Sequence, residues 1–494
     1  MEKAQRKENN NLFLKKIDYT GLGSFQFKKL AGEILLSNDS GSWLWLGKKD
    51  FSRFLSGKIK KGEKIYRELA AKGFFRPDKK KLVEMAGQYL KLNYSVWRGP
   101  SLFIVVLTQR CNHRCVYCQA VPEHPRRRGF DMSCATAKKT LNLIFKTPSP
   151  FVRIEFQGGE PLLNWPILQY IVDYAKFLNR SREKNLQLSL VSNLTLLDEK
   201  KLKFLLNEEI DICCSFDGPA KVHNKNRICL NGTNSHGVVV GQIKKIRQAV
   251  KDRGRAGSLN ALVTVSRLSL PYGREIIDEY IKRGFNNIFL RPLSPLGLSK
   301  QTWQTIGYGA QDFIQFYRQA LDYILKLNLA GHLLIERGVC HILKKILNQE
   351  DPAYMEMRSP CGAGIGQMAF DYNGKIYTCD EGRMAAKMDR DNFKLGDINS
   401  SYRQLIDNEV TKTMCLASLL DNQAGCSDCV YKPYCGTCPL INFMEYGTIF
   451  PVMPATMRCQ INKAVFDYIF LKMRSKKYLD IFKRWIGDNS GLKN

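Results

Sequence analysis

The chain has 494 residues and a formal net charge of +30, from 76 lysines and arginines and 46 aspartates and glutamates. That length predicts two to four domains, and an apolar fraction of 44% is ordinary for a globular protein. No stretch approaches 18 consecutive apolar residues and the first residues are polar, so we expect no membrane span, no secretory signal and a cytoplasmic location. The 16 cysteines would stay reduced there and available to metals. The positive charge favours an acidic partner.

Residues 1–98 are predicted to form a small N-terminal α+β module. A strand at residues 25–27 precedes a hairpin over residues 34–46. Two helices follow, the first with Asp50 as its cap and the second around residues 65–71. Strands followed by helices in this order resemble the winged-helix-like peptide-recognition element of peptide-modifying enzymes. A plain structural extension is the alternative.

A repeating pattern of apolar strands and amphipathic helices begins at residue 99. The alternation argues for a parallel α/β sheet, and right-handed crossovers curl such a sheet toward a partial, TIM-like (β/α)6 barrel. Functional residues of these folds gather at the carboxyl ends of the strands. The six predicted strands are residues 102–107, 152–156, 186–191, 210–216, 259–265 and 288–290.

Three cysteines follow the first of these strands. Cys111, Cys115 and Cys118 have a C-x3-C-x2-C spacing, so their thiolates can converge on one metal centre. Three is one fewer than the four ligands that zinc or a closed iron–sulfur cluster takes. The spacing, with Tyr117 just before the last cysteine, resembles the radical S-adenosylmethionine (SAM) enzymes. The alternative is a zinc knuckle or a set of buried thiols.

The resemblance implies a [4Fe–4S] cluster whose open iron binds SAM, with Tyr117 near the cofactor. In that family an electron from the cluster cleaves SAM to a 5′-deoxyadenosyl radical, which abstracts hydrogen from the substrate.

The segments after the second and third strands also resemble this family. Gly158 and Gly159 would let the backbone approach a ligand closely, and Glu160 would accept from an ammonium group. By resemblance they hold the amino group of SAM, and Ser192 and Asn193 lie near its ribose.

Three further SAM contacts are implied by resemblance after the later strands. Ser215 begins a Ser-x-Asp-Gly-Pro segment that is followed by Arg227, similar to the peptide-modifying and sulfatase-maturating members. A guanidinium at Arg227 can pair with the SAM carboxylate bidentately, and a surface ion pair is the alternative. Arg291 starts a proline-containing turn that closes the SAM site in relatives.

A second cysteine-rich region runs from residue 359 to residue 465. Its spacing, C-x12-G-x4-C, then C-x2-C-x5-C-x2-C, then C, resembles the SPASM extension, which carries two auxiliary [4Fe–4S] clusters. The last spacing within the middle group is usually x3 and here is x2. A zinc ribbon is the alternative. By resemblance the first auxiliary cluster is held by Cys361, Cys379 and Cys438, and the second by Cys426, Cys429, Cys435 and Cys459.

These patterns divide the chain further. We expect a radical SAM core at 99–300, a helical bridge at 301–358, the SPASM domain at 359–465 and a basic C-terminal helix or tail at 466–494. The chain is also similar to anaerobic sulfatase-maturating enzymes. The closest resemblance is to radical SAM maturases of the His-Xaa-Ser peptide system, in residues 111–120, 155–163, 289–295 and 380–384.

The predicted function is an enzyme that uses the 5′-deoxyadenosyl radical to modify a ribosomally made peptide or protein side chain. Its partners would be a precursor peptide, with an acidic leader suited to the basic surface, and a low-potential electron donor such as flavodoxin or ferredoxin. One alternative is sulfatase-maturating-type oxidation of a protein serine or cysteine. Another is a basic nucleic-acid-binding protein stabilised by zinc, which explains the charge but not the segment at Gly158.

Asp380, directly after Cys379, matches the position of an aspartate that accepts the substrate proton in sulfatase-maturating relatives. Partial burial would make it an effective base. An ion pair with Arg383 is the structural alternative, and Glu381 is a second candidate for the base.

Overall fold

The computed structural model describes residues 17, 19–253 and 259–487. The parts of the predicted terminal regions at residues 1–16, 18 and 488–494 lie outside these ranges. The N-terminal module contains an antiparallel sheet of β1 (Gln26–Leu30), β2 (Glu33–Ser37) and β3 (Trp43–Leu46), as the predicted hairpin requires. The predicted cap is wrong, because the following helix begins after Gly47 and places Asp50 in its first turn.

The predicted parallel strands form the main sheet. Six of them pair in chain order, each parallel to the next, and the helices between them make an α/β fold. The prediction at residues 288–290 is corrected: the chain forms β11 (Asn287–Ile288) and then β12, and only β12 joins this sheet. The six strands are β4 (Leu102–Thr108), β6 (Phe151–Gly158), β7 (Asn185–Ser192), β8 (Asp211–Ser215), β10 (Leu259–Val265) and β12 (Leu290–Pro292).

The cysteine-rich region extends the same sheet beyond β4. Strand β14 (Gln367–Phe370) pairs parallel to β4, and β15 (Lys375–Tyr377) and β16 (Lys394–Asp397) follow antiparallel. The hairpin predicted around Asn373 and Gly374 is therefore confirmed. The barrel sheet and the cysteine-rich region are continuous through these strands.

Two further sheets each consist of two short strands. Strand β5 (His113–Cys115) pairs antiparallel with β9 (Arg227–Cys229), and β11 pairs with β13 (Ile335–Glu336). The α-helices that cover the sheets and connect the strands are Lys48–Leu55, Lys64–Ala71, Lys79–Leu92, Cys134–Ile144, Trp165–Asn179, Glu199–Asn207, Ala220–Asn226, Ser235–Asp252, Gly273–Lys282, Leu298–Gln301, Trp303–Ile306, Ala310–Leu329, Arg337–Leu343, Asp380–Ala386, Tyr402–Ile406, Glu409–Ser418, Pro439–Tyr446, Met457–Met473 and Lys476–Ile486.

Helix Met457–Met473 runs across the boundary that the sequence places at residue 465. Within the described residues, no helix has both the length and the apolar character needed to cross a membrane.

The N-terminal sheet packs against the cysteine-rich region. The Ser37 hydroxyl donates to the carbonyl of Val430 at 2.6 Å, and the Tyr434 hydroxyl donates to the carbonyl of Gly41 at 3.0 Å. Both bonds are buried, and Val430 directly follows Cys429. The module is therefore close to the C-terminal cysteines, although it is far from them in sequence.

Candidate functional site

The loop after β4 brings the first three cysteines together. The burial of Cys111 raises the pKa of its thiol well above the usual range, and the charges of Cys115, Glu160 and Cys118 raise it further. Burial also raises the pKa of Cys115 to about 12. Electrostatic influence of this kind requires the groups to be close, so the three thiols share one site.

The donor set fits an iron–sulfur cluster with an open position. Three cysteines leave one iron of a four-iron cluster for an outside ligand. Neighbouring buried thiolates repel one another, and bound iron offsets that repulsion and favours the deprotonated form. In the described part of the chain, no three His, Cys, Asp or Glu side chains surround a position for a single metal ion.

The glycine pair after β6 packs on the cysteine loop. Gly159 donates its backbone N–H to the Thr108 carbonyl at 2.9 Å. A Cβ at Gly158, whose φ is +147°, would lie 2.2 Å from the Thr108 oxygen, and a Cβ at Gly159 would lie 2.2 Å from the Arg110 oxygen. Side chains at these positions would therefore push the cysteine loop away. The sequence predicted that these glycines let the backbone approach a ligand. In the structure their close approach is to the backbone of the cysteine loop.

Glu160 holds the ends of two strands together. Its carboxylate is 1% exposed. It accepts hydrogen bonds from the Ser192 hydroxyl at 2.8 Å, the Asn193 N–H at 2.9 Å and the Leu162 N–H at 3.1 Å. Burial raises its pKa to about 7, although these donors favour the charged form. The predicted SAM contacts Glu160, Ser192 and Asn193 thus form one hydrogen-bonded group.

Asn112, which sequence reasoning missed, joins this group to the cysteine loop. Its side-chain oxygen accepts from Asn193 Nδ2 at 2.9 Å, and its Nδ2 donates to Thr195 Oγ1 at 2.8 Å. Leu194, between these partners, has a left-handed φ of 60°, a conformation that costs energy for a bulky residue. Its position inside the cysteine motif was the one sequence signal for Asn112.

Arg227 lies in a buried ion pair beside the cysteine loop. Its backbone is paired with Cys115 across β5 and β9. Its Nε donates to Asp217 Oδ2 at 3.1 Å, and the Tyr117 hydroxyl donates to the same oxygen. Burial acts to lower the pKa of Arg227, but Asp217, Tyr117 and Cys115 together more than offset it, so this pKa is raised. The alternative interpretation was an ion pair at the surface. The ion pair exists but is not at the surface, because Asp217 is completely buried.

The other two predicted SAM contacts are Ser215 and Arg291. Ser215 ends β8 and is half-buried. Arg291 pairs with Glu356 at 2.5 Å, and Glu356 also bonds to Arg458 of helix Met457–Met473. Burial acts to raise the pKa of Glu356, but the two arginines lower it to about 2.

An open cavity of about 140 Å³ lies where β12 meets the cysteine-rich region. Arg291, Glu356 and Arg458 line it together with Tyr354 and Phe466. Arg291 therefore lines a space between the barrel and the C-terminal region.

Asp380 is paired with Arg383. Arg383 has no exposed surface, and its Nε and Nη2 donate to Asp380 Oδ1 at 2.9 and 2.7 Å. The ion pair that the sequence left as an alternative is thus present. Burial raises the pKa of Glu381, whose charge influences Cys361 and Cys379.

The cysteines that were predicted to bind the auxiliary clusters form two groups. Cys361, Cys379 and Cys438 are buried in one apolar cluster, and burial and mutual proximity raise the pKa of Cys379. The short spacing before Cys438 therefore does not separate it from the other two. The second group lines a single cavity of about 430 Å³ and consists of Cys426, Cys429, Cys435 and Cys459.

Comparisons with known proteins agree with this architecture. Residues 105–263 match the model of the Radical SAM superfamily. A cysteine-type anaerobic sulfatase-maturating enzyme from Clostridium novyi (strain NT) is 23% identical over 341 residues, 68% of this chain and 86% of that protein. The solved structure of native anSMEcpe with bound AdoMet and Kp18Cys peptide has a TM-score of 0.64 and 20% identity, over 78% of this chain and 100% of that one.

SuiB from Streptococcus suis, solved with its precursor peptide SuiA, has a TM-score of 0.51 and 13% identity over 87% of this chain and 98% of that one. Identity this low in the two solved structures establishes the fold alone. The superfamily match identifies an enzyme, in place of the zinc-stabilised nucleic-acid-binding protein. Residues 105–263 are a radical SAM domain, and the chain is a radical SAM enzyme, whose family cofactors are a [4Fe–4S] cluster and SAM.

Proposed function

We propose that this enzyme modifies a side chain of a ribosomally made peptide or protein. The observation that carries the proposal is the open cavity lined by Arg291 of the barrel and Arg458 of the cysteine-rich region. Charged and aromatic side chains of both regions line it, as a site for part of a peptide requires. Two similar structures were solved with peptides bound, anSMEcpe with Kp18Cys peptide and SuiB with SuiA.

In this proposal Cys111, Cys115 and Cys118 hold the cluster. With the cluster and SAM bound, the site would supply radical chemistry that removes a hydrogen atom from the substrate. Gly158 and Gly159 keep the β6 end against the cysteine loop through their close backbone contacts.

Glu160, Ser192 and Asn193 fix the ends of β6 and β7, the position proposed for the amino group and ribose of SAM. Tyr117 and Arg227 fix the other side of the loop through Asp217, near Ser215. Arg227 would meet the SAM carboxylate, and Arg291 would border the entrance of the substrate.

The two C-terminal cysteine groups are proposed to hold auxiliary [4Fe–4S] clusters. Four thiols around one cavity provide the complete ligand set of the second cluster. The group at Cys361, Cys379 and Cys438 provides three, with Glu381 the nearby carboxylate. An external donor such as flavodoxin or ferredoxin would supply electrons.

Asp380 is proposed as the group that accepts the substrate proton. Arg383 donates both of its hydrogen bonds to Oδ1, which leaves Oδ2 available to a substrate donor. The sulfatase-maturating alternative, oxidation of a protein serine or cysteine, uses the same arrangement. The name of the Clostridium novyi relative favours it.

Co-expression tests the proposal. The enzyme is produced with each short reading frame near its gene, and peptide masses are compared with those from a Cys111→Ala, Cys115→Ala, Cys118→Ala variant. A mass change in one peptide that requires the three cysteines supports the proposal. Modification of a folded sulfatase serine or cysteine in place of any short peptide would favour the alternative.

A further inference from the structure

Strand β6 presents a polar row to the inside of the barrel. Ile154 and Phe156 are completely buried in the core that the sheet forms with its covering helices. Because side chains alternate along a strand, Glu155 and Gln157 stand on the opposite face. Both are half-buried, so this face meets open space inside the barrel. Glu155 lies two residues, roughly 6.6 Å, deeper than Gln157.

The immediate partners of Glu155 are neutral. Gln157 Nε2 donates to Oε1 at 2.6 Å, and the Ser189 hydroxyl lies 3.5 Å from Oε2. Ser189 is also the residue paired with Glu155 across β6 and β7. A carboxylate has about four acceptor positions, so two neighbours leave acceptor capacity unused.

Glu155 also differs from the acidic residues around it. No arginine, lysine or histidine nitrogen of the described residues lies within salt-bridge distance of it. Burial, together with the charge of Asp380, raises the pKa of Glu155, while the Gln157 hydrogen bond opposes this. Three other acidic residues of the site have an arginine partner: Asp217 with Arg227, Asp380 with Arg383, and Glu356 with Arg291.

Cys213 shows that this carboxylate faces the barrel interior. On β8, Cys214 is fully buried in the core and Cys213 stands on the other face. The charges of both Glu155 and Arg291 act on the Cys213 thiol. Because β6, β7 and β8 are paired in register, strand alternation puts Glu155 and Cys213 on the same inward face of the sheet.

A ligand that fills this space displaces water from the carboxylate, which is costly unless the ligand supplies a donor to the unused acceptor positions. Under the proposed function the substrate side chain reaches the inside of the barrel, so the acceptor determines which chemical groups it can bind there.

We propose that Glu155 is a specificity-determining residue, which accepts a hydrogen bond from an N–H or O–H donor on the substrate side chain inside the barrel. This inference rests on the proposed function. It selects substrate residues such as serine, histidine or lysine and rejects alanine and leucine, because an apolar side chain would exclude water from the carboxylate without supplying a donor.

The test uses synthetic peptides of one common sequence with a central serine, histidine, lysine, alanine or leucine. Peptide-dependent release of 5′-deoxyadenosine gives kcat and KM for each peptide with the reconstituted enzyme. Glu155→Gln keeps the shape and removes the charge, and Glu155→Ala removes the acceptor. Asp173→Asn, an exposed carboxylate on helix Trp165–Asn179, is the matched control.

The wild type and the control should favour donor-bearing peptides by about tenfold or more in kcat/KM. Glu155→Ala should lose this preference, and Glu155→Gln should lose it most for lysine and histidine, mainly through KM. Iron content equal to wild type in both variants verifies folding.

Two outcomes overturn the inference alone: wild-type preference in both Glu155 variants, or loss of iron from both, which would make Glu155 a structural residue. A wild-type enzyme that cleaves SAM but responds to no peptide in this panel or in the co-expression test contradicts the proposed function as well.

Discussion

Asp217→Asn should loosen the cysteine loop, because Asp217 carries the charge that balances Arg227. The carboxylate is completely buried and accepts from Tyr117 and from two nitrogens of Arg227. Removing one partner of a buried ion pair costs about 3–5 kcal/mol, since the other charge stays buried and unpaired. Every 1.4 kcal/mol changes an equilibrium constant tenfold, so the equilibrium constant for local opening of the loop should increase on the order of a thousandfold.

Amide hydrogen exchange measures this opening without assuming two-state unfolding. The amides to follow are those of β5 and β9, where Cys115 pairs with Arg227. A double variant, Asp217→Leu with Arg227→Met, should recover much of the protection, because it removes both charges. The exposed control Asp173→Asn should leave exchange unchanged. Equal exchange in Asp217→Asn and this control would refute the reasoning.

Three other changes have definite expected outcomes. Gly159→Ala should reduce iron bound at the first site, because its Cβ would lie 2.2 Å from the Arg110 oxygen, whereas Gly241→Ala, with nothing within 4 Å, should leave iron content unchanged; equal iron in both would contradict this. Asp380→Asn should lower product by roughly 10²-fold while 5′-deoxyadenosine still forms, and normal yield measured by mass spectrometry would remove Asp380 from the mechanism. Tyr434→Phe should destabilise the N-terminal sheet against the C-terminal region by about 1 kcal/mol in chemical denaturation, and an unchanged midpoint would argue against that interface.

Local patterns predicted much of the fold. Alternating apolar strands and amphipathic helices predicted the parallel sheet, because strands and helices bury their apolar faces against each other. The hairpin at Asn373 and Gly374 followed from its turn residues. The split at Ile288 was not predictable from apolarity, because β11 and β12 are both short and belong to different sheets.

Tertiary partners were harder to predict. The sequence indicated Glu160 and Arg227 as ligands of SAM, but not that Glu160 binds Ser192 or that Arg227 binds Asp217. Such contacts depend on the register of neighbouring strands and on loop geometry, which periodicity does not encode. Likewise, nothing local indicated that Ser37 would meet the carbonyl of Val430.

The central claim is that Cys111, Cys115 and Cys118 hold the cluster that activates SAM. Release of 5′-deoxyadenosine by anaerobically reconstituted, reduced protein tests it most directly, with iron counted in the same samples. The wild type should release 5′-deoxyadenosine and contain on the order of 12 iron atoms per chain, as three four-iron clusters require. The variant with all three cysteines replaced by alanine should keep about eight iron atoms per chain and release no 5′-deoxyadenosine. Continued release by this variant, or stoichiometric zinc without iron in the wild type, would contradict the account.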